Sequence, residues 1–210
     1  MQPFDRVTGP AAPLLEDDIN TDQIAPAIAS FKPDYAELLF ARRRRNAQGA
    51  EIPDFVLNRA PFRKACVLVA RNNFGSGSSR ESAVWALAGF GIRVVVARSF
   101  ADIFRENCLK NGLLPISLDA GDAASFEDEV VAADGATPCT VDLVAQTIAG
   151  PGPKTYRFSI APAEREALLR GLDDIGLTLD ALASIVAWEE QMKHKQPWLQ
   201  RIPNAEAVQR

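Results

Sequence analysis

The chain is poor in the residues that build metal sites. It has one histidine, His194, and three cysteines, Cys66, Cys108 and Cys139. The cysteines lie far apart, with no short spacing between them. That argues against a disulfide framework and against a zinc or iron–sulfur site built by this chain alone. His194 sits between Lys193 and Lys195 and reads as part of a solvated helix end. A Ser-His-Asp triad or a multi-histidine site would have to draw on it. No apolar run approaches the ~20 residues that span a bilayer. The opening residues 1–9 show neither the basic nor the apolar region of a secretion signal. Positive charge is not in excess either: 23 Lys and Arg against 27 Asp and Glu leave a net charge of −4. A generally basic nucleic-acid surface is thereby excluded. No internal repeat is visible. The expectation is a soluble, cytoplasmic protein with no membrane and no nucleic-acid partner.

What is present is an ordinary globular composition, 210 residues with 47% hydrophobic and 24% charged. That suffices for one domain over 1–210, the fold proper reaching about 200, with a short C-terminal tail. The centre carries the best pattern. Residues 66–70 and 92–97 are short β-favouring apolar runs, read as buried strands, and 113–118 is a third, with Pro115 pointing to an edge or bend. Helices are expected at 79–88 and 100–110, with Gly89, Gly91 and Gly112 as stops. Ser78 with Glu81 has the spacing of a capping box, as has Ser99 with Asp102. This strand–helix alternation predicts a parallel sheet with right-handed crossovers. Beyond it, a helix is expected at 123–133. Alternation at 140–144 and 156–160, between turns at Asp134-Gly135 and Gly150–Pro153, predicts antiparallel strands. Further helices are expected at 162–170 and from a cap at Thr178 to about Lys193. The fold class is α/β with a second, layered sheet.

Earlier in the chain the signals are weaker. Residues 10–15 are apolar and lead into a polar turn, and 35–41 form a short helix-like patch. Arg42–Arg45 reads as a solvated loop or a contact to an acidic partner. Residues 28–55 lack a clear apolar period and are expected to be poorly ordered until a partner binds.

Two constellations could carry chemistry. The first is a strand, a glycine-rich loop over 71–77 and a helix start, an arrangement that presents bare N–H groups to an anion. Gly75-Ser76-Gly77-Ser78-Ser79-Arg80 lacks the second glycine and lysine of a phosphate-binding Walker loop. It lacks the third glycine of a dinucleotide loop and the G-x-S-x-G of a nucleophile elbow. Serine hydroxyls and one guanidinium remain, which suit a small carboxylate, since arginine grips carboxylate with two parallel bonds. The other reading is a connector whose serines merely cap the helix. The second constellation is Asn20-Thr21-Asp22-Gln23-Ile24, in a stretch that also holds Glu16, Asp17 and Asp18. Alone, it reads as an Asx-type turn.

Taken together, these segments resemble the small-subunit family of 3-isopropylmalate dehydratases, in the aconitase superfamily. The resemblance is carried by Asn20–Ile24, Asn73–Glu81, Ser99–Phe104, Asn111–Ile116 and Gly171–Thr178. These run in family order from about residue 7 to residue 199. The resemblance implies the swivelling β/β/α domain of aconitases as a separate polypeptide. It implies a larger partner subunit carrying a [4Fe-4S] cluster, no cofactor or metal on this chain, and a small carboxylate substrate. The implied reaction is the hydro-lyase interconversion of 2- and 3-isopropylmalate in leucine biosynthesis. By the same resemblance Ser78 is the general base, Ser79 and Arg80 contact a substrate carboxylate, and Gly77, Thr21 and Asp22 complete the substrate site. Two stretches depart from the family pattern: Ser82 stands where a histidine is usual, and Ile28-Ala29-Ser30 follows Pro26-Ala27 where Arg-Phe-Leu is common. They leave open another 2-alkylmalate or a maleate derivative as substrate, or a non-catalytic binding paralogue.

Overall fold

In a computed structural model, residues 1–27 and 34–200 are described, without the side chains of 199 and 200. The chain forms two compact units, Met1–Gly171 and Leu172–Arg210.

The first unit is built on two sheets. Strands β2 (Ala11–Pro13), β3 (Val67–Val69), β4 (Val94–Ala97) and β5 (Leu114–Ser117) form a parallel sheet in that order. Strands β1 (Arg6–Gly9), β6 (Cys139–Asp142), β7 (Thr147–Ala149) and β8 (Thr155–Arg157) form an antiparallel sheet. Pro115 lies on the edge strand β5, where its missing N–H costs no ladder bond. The runs in β3 and β4 are buried along their whole length, as a strand packed on both faces requires.

Alternate residues of the parallel sheet feed two cores. Leu68 and Val95 pack with helices α4 (Glu81–Phe90) and α5 (Asp102–Lys110), through Val84, Leu87, Phe104 and Cys108. Val67, Val69, Val94 and Val96 face the other way. There they meet Phe126 and Val130 of helix α6 (Ala120–Ala133) and Val141, Ile148 and Tyr156 of the antiparallel sheet. The parallel sheet thus lies between a helical layer and a second sheet. Helix α7 (Pro162–Arg170) ends in left-handed Gly171, and its Leu168 joins the second core.

The helix starts differ from the sequence reading. Arg80, not Ser78, is the N-cap of α4, with no side-chain cap bond. The Arg80 N–H donates to the Ser78 carbonyl at 2.8 Å, a tight turn that leaves Ser78 outside the cap position. Ala101 is the N-cap of α5, again without a side-chain bond. The Ser99 hydroxyl instead accepts from the Asn73 N–H at 2.8 Å.

Asn20–Ile24 is not an Asx turn but a short helix, α1 (Thr21–Ile24). It is closed by a reciprocal cap: Asn20 Oδ1 accepts from Gln23 N–H and Gln23 Oε1 accepts from Asn20 N–H, both at 2.9 Å.

Residues 28–33 of the stretch expected to be poorly ordered lie outside the described residues. Of the remainder, the part around 38–44 packs into the core, whereas 46–50, 53 and 54 are exposed. Short helices α2 (Tyr35–Leu38) and α3 (Ala41–Arg44) flank fully buried Leu39 and Phe40. The arginine run is likewise not a solvated loop. Arg44 is buried, its Nε donating to Asn58 Oδ1 at 3.1 Å and its Nη1 to the Ala36 carbonyl at 3.2 Å. Arg43 pairs with Glu16, and Arg45 with Glu37. Arg42 alone of the four is exposed.

The second unit holds helices α8 (Asp174–Asp180) and α9 (Leu182–Lys195). Asp173 caps α8, so Thr178 sits inside that helix rather than at a start. His194 is exposed in the last turn of α9, as its lysine neighbours imply.

Candidate active site

The carboxyl ends of β2, β3 and β4 release three loops side by side, the place where open α/β sheets bind ligands. The middle loop, 70–80, is held from both flanks. On the β2 side, Asp18 N–H donates to the Asn72 carbonyl at 2.9 Å and Gly75 N–H to the Ile19 carbonyl at 2.7 Å. Thr21 N–H donates to the Ser76 carbonyl at 2.9 Å, and Asn20 and Ser76 form a parallel bridge. On the β4 side, Phe74 N–H donates to the Ser99 carbonyl and Ala101 N–H to the Phe74 carbonyl, both at 3.0 Å.

The acidic stretch before α1 is spent on this loop and its neighbours. Asp17 Oδ1 accepts from the Asn72 N–H at 2.8 Å and from its side-chain amide at 2.7 Å. These bonds, with the nearby Arg71 and Arg98 charges, hold the Asp17 carboxyl below its ordinary value. Asp18 Oδ1 accepts from Asn73 Nδ2 at 2.7 Å. Asn73 takes a left-handed φ of 56°, a conformation asparagine tolerates better than most residues.

Gly75 and Gly77 supply the turns that aim Ser78. Gly75 has φ +79°, and Phe104 of α5 packs against its α-carbon face, leaving no room for a side chain. Gly77 has φ +93°, with Asn20 Cβ and Thr21 Oγ1 each 3.5 Å from where a β-carbon would stand.

The sequence-predicted site residues come together. Thr21 is buried, and its hydroxyl donates to the Ser78 carbonyl at 2.9 Å, so Thr21 reaches the site by fixing the Ser78 backbone. Asp22 forms an ion pair with Arg80. Gly77, Ser78 and Ser79 are exposed. Among the described residues no group bonds to the Ser78 or Ser79 hydroxyl, and the N–H groups of Gly77, Ser78 and Ser79 donate to none. The result is a helix start with no side-chain cap, two free hydroxyls, free amides and a guanidinium steadied by a carboxylate. Such a cluster receives an anionic group and stabilises developing negative charge on oxygen.

Sequence reasoning missed the supports: Asp17 and Asp18, Asn72 and Asn73 as their partners, Ser99, and Phe104 beneath Gly75. Each acts across a long sequence separation, so no local pattern marks it.

The donor set of this chain does not fit an iron–sulfur cluster. Cys108 is fully buried in α5 and Cys139 in β6. Burial drives the Cys108 thiol well up and pushes Cys139 to about 12, away from the thiolate a cluster needs. Among the described residues no three His, Cys, Asp or Glu side chains group as metal ligands. No helix among them is long and apolar enough to cross a membrane.

Comparison with known proteins agrees with this geometry. Residues 2–121 match the aconitase C-terminal domain, and residues 174–202 match the C-terminal domain of the 3-isopropylmalate dehydratase small subunit. The 3-isopropylmalate dehydratase small subunit of Dinoroseobacter shibae is 46% identical over 202 residues, covering 95% of this chain and all of the relative. That of Mesorhizobium japonicum is 43% identical, covering 94% of this chain and all of the relative. A crystal structure of 3-isopropylmalate dehydratase (LeuD) from Methanocaldococcus jannaschii matches with a TM-score of 0.62 at 28% identity, covering 87% of this chain and 99% of that one. With a matching domain over more than half its length and relatives above 40% identity over nearly all of it, the chain belongs to the family of 3-isopropylmalate dehydratase small subunits.

Proposed function

We propose that this chain is the catalytic-loop subunit of a cytoplasmic hydro-lyase that interconverts 2- and 3-isopropylmalate in leucine biosynthesis. The partner is a large subunit of the same enzyme. On this reading the Lewis acidity that the departing hydroxide requires would be supplied by a [4Fe-4S] cluster on that subunit, since the described residues of this chain hold no donor set for one.

The isomerisation removes water and returns it in the opposite sense. A proton must leave a carbon next to a carboxylate, and Ser78 Oγ is the group that takes it. A serine hydroxyl is ordinarily far too weak an acid to exist as an alkoxide. The free amides of the loop, the α4 N-terminus and the Arg80 charge are the means of stabilising that oxyanion. Arg80 also binds a substrate carboxylate. Its fork has five N–H donors, so the bond to Asp22 leaves capacity for a second anion. Ser79 offers a further donor beside it, and Gly77 keeps the approach clear of a side chain. Thr21 and Asp22 hold Ser78 and Arg80 in place.

The observation that carries this reading is the uncapped start of α4 with unbonded Ser78 and Ser79 hydroxyls beside a steadied Arg80. A serine that merely caps a helix bonds an N–H two or three residues on, and Ser78 does not.

The test is steady-state kinetics of Ser78→Ala and Arg80→Lys, reconstituted with the large subunit, the lone chain serving as the inactive control. Ser78→Ala is expected to lose about 10²–10⁴-fold in kcat with KM nearly unchanged. Arg80→Lys is expected chiefly to raise KM, about 10- to 150-fold for the roughly 1.5–3 kcal/mol of a charge-assisted hydrogen bond. A Ser78→Ala enzyme keeping more than about a tenth of its turnover removes Ser78 as the base.

A further inference from the structure

Glu127 is the one buried carboxylate among the described residues. It stands on α6, which packs on the face of the parallel sheet opposite α4. Its two oxygens accept a two-point fork from Arg98, Nε at 2.8 Å and Nη2 at 2.9 Å. Oε2 takes a third bond, from Arg71 Nε at 3.3 Å.

Arg71 and Arg98 are not arbitrary partners. They follow the ends of β3 and β4, at the foot of the two loops that meet at the site. Their backbones are bonded to each other, Arg98 N–H to the Arg71 carbonyl at 3.2 Å. Asp17, bonded to Asn72, lies within electrostatic reach of both guanidinium groups. The cluster therefore balances two positive charges with two negative ones, and a carboxylate is buried at the one point where both loops leave the sheet. The Glu127 carboxylate is 5% exposed, while Arg98 and Arg71 keep 30% and 42% of their side chains exposed; burying one partner of an ion pair is costly to desolvate and is weak evidence for stability alone. Apolar side chains would fill the same volume at no such cost.

We infer that Glu127 is a positioning residue for the reaction. By tying Arg71 to Arg98 it fixes where loop 71–77 departs from the sheet, and so where Ser78 points. The link is continuous. From Arg71 the loop is clamped at Asn73 and Phe74 to Ser99, one residue beyond Arg98, and then at Ser76 to Thr21. A shift at the foot of the loop is carried along it to Ser78. Arg80 has its own anchors, Asp22 and the start of α4. Loss of the Glu127 tie is thus felt by proton transfer more than by carboxylate binding. A displacement of about 1 Å in a catalytic group costs on the order of 10²-fold in rate.

This inference rests on Ser78 as the base, and the experiment separates the two. Glu127→Gln, Arg98→Gln and the double variant are reconstituted with the large subunit, and turnover is normalised to assembled enzyme. Glu127→Gln is expected to lower kcat at least about 10-fold with KM within about twofold of wild type. The double variant is expected to lose no more than the worse single variant, because both remove one tie. Arg98→Lys, which keeps the charge and loses the fork, gives a smaller loss in the same direction and serves if Glu127→Gln does not fold. In the full chain without partner, the amides of Asn73, Phe74 and Gly75 exchange faster in Glu127→Gln, while those of β6 do not change. A merely structural Glu127 would lower the melting temperature and leave kcat per assembled enzyme within twofold; that outcome, additive losses, or unchanged exchange at 73–75 overturns the inference. Ser78→Ala runs alongside. Turnover by that variant above about a tenth of wild type overturns the base, whereas the exchange result judges the tie by itself.

Discussion

Replacing Gly75 with alanine puts the loop architecture to a quantitative test. Two costs arise. At φ +79° an L-residue pays roughly 1–2 kcal/mol for the left-handed conformation. The new β-carbon also stands 2.6 Å from Phe104 Cβ and closer still to its ring, where carbon atoms want about 3.5–4.0 Å. The ring has nowhere to go. Phe104 is 2% exposed and packs edge-on against fully buried Phe74, centroids 5.4 Å apart. Overpacking of this kind costs about 1–3 kcal/mol. The two together come to about 2–5 kcal/mol, and at about 2–4 °C per kcal/mol for a chain of this size the melting temperature falls by roughly 4–20 °C. Gly77→Ala is the internal control. It has φ +93° but meets only ordinary contacts at 3.5 Å, so it bears the conformational cost alone, roughly 2–8 °C. The assay is paired thermal and denaturant melts of the full chain, followed by kcat on reconstitution. Gly75→Ala melting within 2 °C of wild type, or no lower than Gly77→Ala, refutes the packing argument.

Two further outcomes follow from the titrating groups. Arg105 holds the Glu164 carboxyl below its ordinary value, with bonds of 2.9 and 2.8 Å between α5 and α7. A depressed folded value stabilises above the unfolded carboxylate pKa of about 4.3 and is lost as pH falls through the folded one; Glu164→Gln is therefore expected to flatten the decline in melting temperature below about pH 4, and an unaltered acid limb contradicts this. Burial raises all three thiols, Cys139 to about 12, so at pH 8 a thiol reagent is expected to label Cys66 slowly and Cys108 and Cys139 only after unfolding. Rapid titration of three thiols in the folded protein runs against it.

The parallel sheet was legible because its inner strands are buried on both faces and read as unbroken apolar, valine-rich runs, Val67–Val69 and Val94–Ala97. The first two strands were not. Arg6–Gly9 holds one strongly apolar residue, and Ala11–Pro13 is alanine and proline, with no β preference of its own. These segments are strands because each lies on an edge, where one neighbour supplies the ladder. Capping chemistry misled in both directions. Ser78 and Glu81 have the right spacing, but the Arg80 turn moves the helix start two residues on. Asn20 and Gln23 form a full capping box around a helix of four residues, too short to show an apolar period. The packing around 38–44 was hidden in the same way, since Leu39 and Phe40 fall in the turn between two four-residue helices. The candidate site residues were legible only because a motif carried them. Their supports, Asp17 to Asn72 and Glu127 to Arg98, join segments that no periodicity connects.

The clustered carboxylates of Glu16, Asp17, Asp18 and Asp22 are all in use. Each carboxylate has a specific partner: Arg43, Asn72, Asn73 and Arg80 respectively. The sequence offset that pairs Ala11 with Val67 in the sheet also pairs Asn20 with Ser76 beyond it. The two segments therefore come back into step after the strands end, across a region bridged by the Arg71 N–H to the Glu16 carbonyl, the Asp18 N–H to the Asn72 carbonyl and the Gly75 N–H to the Ile19 carbonyl. Asp17 and Asp18 reinforce that pairing, each gripping an asparagine of the facing loop. A one-residue slip would set both carboxylates against the wrong partners and would carry Ser78 with it, because Thr21 bonds the Ser78 carbonyl from the same register. The position of the proposed base is thus inherited from strand pairing. Asp22, last in the run, does something different. It pairs with Arg80 where both side chains remain part exposed, an ion pair weak enough to be compatible with the second carboxylate proposed for Arg80.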